Sequence, residues 1–190
     1  MHPAEHRGLR ELHAFSRQLA RHWDRLGARV PGDAGRLLSE GATDARALIV
    51  ELTAATDARG LYAEPAAALS GRVASARPPS PDVLLERNQA LRFALLDVQH
   101  CATLLAYLGR LAATRGDDEL RALCAKWEAR LLGHERAVRD AVIALAARPD
   151  EAIAPADPST VGRLGQRLVA SAGAFGEWLD RRAAERRDRG

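Results

Sequence analysis

Asp97 and His100 stand three residues apart, a spacing that stacks two side chains on one face of a helix and aims both at one point. A carboxylate and an imidazole so placed are a donor pair for iron, manganese or zinc. His134 and Glu135 repeat the residue types at adjacent positions, which on a helix point about 100° apart. Counted outward from the break at Gly116, Asp97 lies level with Glu135 and Val98 with His134. Two histidines and two carboxylates are therefore candidates to meet between two antiparallel helices, with Glu128 as an outlying ligand. Glu11, His22, Glu40, Asp44 and Glu51 are further donors on the preceding helices.

Each candidate also has a structural reading, and that reading is preferred. His134 falls on an apolar stripe and reads as a partly buried histidine bonded to a side chain such as Gln99 or Asn88. His100, near Phe93, Leu104 and Tyr107, reads as a packed histidine. Asp97 reads as the partner of an arginine or of His100. Glu128 and Glu135, beside Arg130 and Arg136, read as a solvated charged flank. A minor alternative makes His100 an axial haem ligand or the anchor of a lipid-like ligand, although no Cys-x-x-Cys-His run is present. No Gly-x-Ser-x-Gly turn or phosphate-binding glycine loop occurs either. Cys101 and Cys124 lie at different depths from the turn, roughly 10 Å apart along the axis at 1.5 Å per residue, and are expected to be buried thiols.

The elements that position these residues are helical. The chain has 190 residues, 47% hydrophobic but only 4% aromatic, so its core must be built from leucine, alanine and valine. Leu9, Leu12, Phe15, Leu19, Trp23 and Leu26 predict a first helix over about 4–28. After Pro31-Gly32, Asp33 is expected to cap a second helix to about Asp57, which Gly41 weakens or splits, with Thr43 available to cap a second start. Residues 59–80 read as a long crossover, with a short helix at Ala66–Val73. Ser80-Pro81-Asp82 predicts the start of a third helix running to Thr114, apolar on nearly all sides and hence central or in an interface. Arg115-Gly116-Asp117 predicts a tight turn into a fourth helix that stops near Arg148-Pro149. A linker over Asp150–Asp157 leads to a fifth helix carrying Val161, Leu164, Leu168, Ala172, Phe175 and Leu179. The expected fold is all-α, a four-helix bundle over 1–150, with 151–190 as linker, fifth helix and basic tail.

Two short-connected helix pairs joined by a long crossover resemble the ferritin-like fold over residues 4–147. That resemblance implies two metal ions held by a lone Glu on two helices and a Glu-x-x-His pair on each of the other two. Asp97-Val98-Gln99-His100 is an aspartate version of the pair, whereas Glu128-Ala129-Arg130-Leu131 has leucine where the histidine belongs. The motif is incomplete.

The net charge is +3, with a sequence isoelectric point near 9.4, yet arginines alternate with acids along the helices and only the last ten residues are clearly basic. No nucleic-acid partner is expected. No apolar run reaches the ~18 residues of a membrane span, and the opening residues lack the pattern of a secretory leader, so the expected compartment is the cytoplasm. The expected function is a non-catalytic interaction or scaffold protein without a cofactor, a homodimer through its third or fifth helix. The alternative is an oxidative protein binding iron, manganese or zinc at Asp97, His100, Glu128, His134 and Glu135.

Overall fold

The computed structural model describes residues 2–61 and 85–159. These form a bundle of four long helices: α1 (Pro3–Gly27), α2 (Asp33–Asp57), α3 (Arg87–Arg115) and α4 (Asp118–Ala144). A 3-10 turn, Leu145–Ala147, and a one-turn helix, Pro149–Ala152, follow. The described residues contain no strand, and no helix among them is long and apolar enough to cross a membrane. The fold is thus an all-α helical bundle.

α1 packs on α2 and α3, and α4 packs on α3 and α2, leaving α1 diagonal to α4. Every adjacent pair is antiparallel. Trp23 meets Ala94 while Gly8 meets Leu108, and Asp44 meets His134 while Arg59 meets Asp117. α2 and α3 therefore run the same way, and the end of one and the start of the other lie at opposite ends of the bundle. That is the placement a long crossover requires. The core is leucine and alanine throughout, with Trp23 fully buried.

The helix starts differ from expectation in two places. Gly32, at φ +77°, is the residue before α2, and Asp33 is its first helical residue, bonded to Arg36 rather than to a free amide. The extended turn from Val30 needs the left-handed backbone that glycine adopts without strain. α3 begins at Arg87, six residues after Pro81, with the Glu86 amide donating to Gln89 Oε1 at 3.4 Å. Leu85 and Glu86 are held extended by the returning chain: Arg87 N–H donates to Ala154 O (2.8 Å) and Ala156 N–H to Leu85 O (3.0 Å). What reads as a plain linker is thus a folded strap, its end tied by Asp157 to Arg29.

α2 is continuous through Gly41, and the Thr43 hydroxyl donates back to Ser39 O instead of capping a new start. The turn at Gly116 (φ +71°) has the expected form, with Asp117 accepting from Leu120 N–H at 3.0 Å. α4 ends at Ala144, short of Arg148, because its last turn tightens into the 3-10 turn. The expected helix at 66–73, the Ser80-Pro81-Asp82 start and the fifth helix lie outside the described residues.

Candidate functional site

Trp23 sits where all four helices meet. Its ring packs against the backbone of Gly41 on α2, its indole N–H donates to Ala94 O on α3 at 3.0 Å, and it stands at 86° to the His134 ring on α4, with 6.3 Å between ring centroids. A β-carbon on Gly41 would lie 2.3 Å from the indole. Glycine in mid-helix, costly for helix formation, is therefore what lets the largest side chain enter the core.

The polar candidates surround this centre, each held by a neighbouring helix. Asp97, 3% exposed, accepts from His22 Nδ1 at 2.5 Å and from Gln18 Nε2 at 3.0 Å, both on α1. His100 also faces α1, where it stacks on Phe15 at 4.0 Å and pairs with Glu11 at 3.1 Å. It is 41% exposed in its side chain, and the expected neighbours Phe93 and Tyr107 are turned outward. His134 faces α2 and donates from Nε2 to Asp44 at 2.6 Å, alongside Arg130 at 2.5 Å. Glu135 faces α3, accepting from Gln99 Nε2 at 3.1 Å and from Arg139 Nε at 2.9 Å. Glu128 lines an open cleft of about 510 Å³ between α3 and α4 with Gln99, Ala102, Thr103, Leu132 and Glu135.

Several pairings differ from the expected ones. Asp97 takes a histidine of α1, not an arginine or His100. His134 takes a carboxylate of α2, while Gln99 serves Glu135 and Asn88 serves Ala152 O and Glu86. Glu135 is 6% exposed, so it is not part of a solvated flank. Burial alone would raise the Asp44 carboxyl, but hydrogen bonds from Arg130 and His134 outweigh it and hold the group below its ordinary value. Arg139 does the same for Glu135, against burial and with help from Gln99.

Most of these contacts join one hairpin, α1–α2, to the other, α3–α4. To those above are added Arg115 with Glu5, Lys126 and Trp127 with Glu51, and Arg59 with Asp117. Within hairpins the cross-helix polar contacts include His13 with Thr53 and Arg46 with Asp24.

His100 and His134 thus lie in different seams, the first against α1 and the second against α2. The donor set that the ferritin-like resemblance implies needs carboxylates and histidines aimed at one point, and these five residues do not assemble it. Among the described residues no three His, Cys, Asp or Glu side chains are grouped to hold a metal ion. Cys101 and Cys124 are free and buried. Burial pushes the Cys101 thiol up to about 12, with Asp97 adding and Ser16 opposing. Burial likewise pushes Cys124 up to about 12, with Glu128 and Asp117 adding. Neither is a thiolate nucleophile near neutral pH.

Sequence reasoning named His22 and Asp44 only as further donors, not as the partners of Asp97 and His134, and it missed Gln18 and the role of Gly41 as the seat of Trp23. Gly41 carried a signal, since a glycine inside a periodic helix marks a close approach. Compared with protein families, curated proteins and solved structures, the chain matches none.

Proposed function

We propose that the protein is a non-catalytic helical scaffold, ferritin-like in the order and direction of its helices, that works by offering a surface to another helix. One observation carries this reading: among the described residues, Asp97, His100, His134 and Glu135 are each engaged by a side chain of a neighbouring helix rather than aimed at a common point. Asp97, His134 and Glu135 each hold a neighbouring element through short hydrogen bonds, and the two thiols are buried and protonated. Two unpaired buried thiols also suit a reducing compartment such as the cytoplasm.

The surface offered is the outward side of α3, where Phe93, Leu96 and Tyr107 are 42%, 45% and 48% exposed. Large apolar side chains in a row on one helix mark a contact surface more often than chance scatter does. The test is elemental analysis of protein purified without a metal-affinity tag, with thermal unfolding in the presence of a chelator. Trace metal and an unchanged melting temperature are expected. Stoichiometric iron, manganese or zinc, lost in His100→Ala or His134→Ala, would overturn the scaffold reading in favour of an oxidative metal protein.

A further inference from the structure

The α3–α4 side of the bundle carries two opposite charges that its own packing does not use. Glu128 lies half-buried in the open cleft of about 510 Å³ between these helices, where the α3 wall is made of the small residues Ala102, Thr103 and Ala106. Arg110 is exposed on α3. Among the described residues neither makes a hydrogen bond or an ion pair, with the other or with any neighbour. A half-buried carboxylate in this state lacks the charge-assisted bonds that offset its partial loss of water. The cleft in front of it has room for a further side chain.

Contacts between the helices give the levels of the two charges. A β-carbon on Gly109 would lie 3.2 Å from Cβ of Cys124, and Gln99 reaches Glu135, which puts Glu128 about level with Leu105. Arg110 is further along α3 by about 7.5 Å, at 1.5 Å per residue. Tyr107, 48% exposed, lies between these two levels.

We propose that this face binds a second copy of the chain about a two-fold axis at Tyr107. α3 packs antiparallel on the partner's α3, and each Arg110 enters the partner's cleft to pair with the partner's Glu128. A two-fold axis across the helices exchanges the levels on its two sides, so Arg110 of one copy comes level with the partner's Glu128, and symmetry makes the pair twice. At the axis Tyr107 meets the partner's Tyr107. Thr103, Ala106, Ala122 and Ala125, all exposed, are short enough to let two helix pairs approach. Charge complementarity selects the occupant. One carboxylate and one guanidinium placed evenly about an aromatic match their own two-fold copy, whereas a partner carrying a single sign of charge meets a like charge at one of the two positions. The inference rests on reading the outward side of α3 as a contact surface, and it names the helix that this surface meets.

The test is the mass of the full-length protein by light scattering at up to ~100 μM. A dimer is expected, and a monomer would overturn the proposal. Glu128→Arg or Arg110→Glu alone sets like charges against each other in both pairs and is expected to weaken the dimer by about tenfold or more. The two substitutions together exchange the charges and are expected to restore the dimer to within about threefold of the parent. Single variants that dimerise like the parent, or a folded double variant that stays monomeric, would each overturn the proposal. A second measurement does not depend on the charge variants folding. Tyr107→Cys treated with a short bismaleimide near neutral pH is expected to give a cross-linked dimer, while Ala47→Cys, exposed on α2, gives none. Cys101 and Cys124 stay silent because they are buried with thiols near 12. Absence of the dimer, or equal cross-linking of the control, would equally overturn it. A monomer leaves the scaffold reading standing with a different helix as partner, and a stoichiometric metal would refute that reading while leaving the dimer intact, so the two ideas fail separately.

Discussion

Gly41→Ala sets two effects of opposite sign against each other at the centre of the bundle. In an exposed helix interior the change stabilises by about 1 kcal/mol, because alanine has less backbone freedom to lose. Here the new methyl would lie 2.3 Å and 2.4 Å from two atoms of the Trp23 ring, against a normal carbon contact of about 3.5–4.0 Å. The ring must shift by about 1 Å, and it has nowhere to go, since Trp23 is fully buried and its N–H is bonded to Ala94 O. Overpacking of this kind costs about 1–3 kcal/mol, and straining a buried hydrogen bond adds about 1–3 kcal/mol. The net expectation is destabilisation by about 1–5 kcal/mol, a fall of about 2–4 °C in melting temperature per kcal/mol for a chain this size. Gly133→Ala in α4 is the matched control, because its methyl meets no atom within 4 Å. It is expected to stabilise by up to about 1 kcal/mol. Urea unfolding followed by far-ultraviolet circular dichroism measures both. If Gly41→Ala is as stable as the parent while Gly133→Ala gains stability, the close approach of Trp23 is not what requires glycine.

Asp97→Ala removes an acceptor shared by His22 and Gln18 in a buried seam, and a loss of about 3–5 kcal/mol is expected in urea unfolding; a loss below about 1 kcal/mol would refute the clamp role. The folded Asp44 carboxyl is held below its ordinary value, so its contribution to stability is complete above the unfolded value of about 4 and is lost as pH falls through the lower folded value. Melting temperatures measured from pH 6 downward should accordingly drop less steeply in Asp44→Asn than in the parent, and parallel curves would refute this. The two cysteines, both buried with thiols near 12, should resist Ellman's reagent in the native protein at pH 8 and react fully in denaturant. Rapid labelling of the native protein would show that the seams open.

The helices of the first half were legible because their apolar residues recur at one period: Leu9, Leu12, Leu19, Trp23 and Leu26 are all buried on one side of α1. The start of α3 was not, since Ser80-Pro81-Asp82 is a good local cap while the extended Leu85 and Glu86 are set by contact with Ala154 and Ala156, far along the chain. Periodicity also told that Asp97 and His134 face a seam, yet not what they meet there. Their partners lie 75 and 90 residues away, and which side chains touch depends on the rotation of each helix about its own axis. A stripe a third of the circumference wide leaves that rotation loose by a residue or more. Leu95 and Leu96 show the scale of the ambiguity: adjacent and identical in type, they are 9% and 45% exposed.

The division of polar contacts between the hairpins has a consequence for the molecule in solution at high concentration. Charge fixes the register in which α1–α2 meets α3–α4, through Glu5, Glu11, Asp44, Glu51 and Asp97 on one side or the other. The two hairpins therefore behave as two distinct subunits written on one chain. Hairpins exchanged between two copies would satisfy each of these contacts equally well. Crowding the protein therefore opens a route to domain-swapped pairs in which each of these contacts is made between two copies instead of within one.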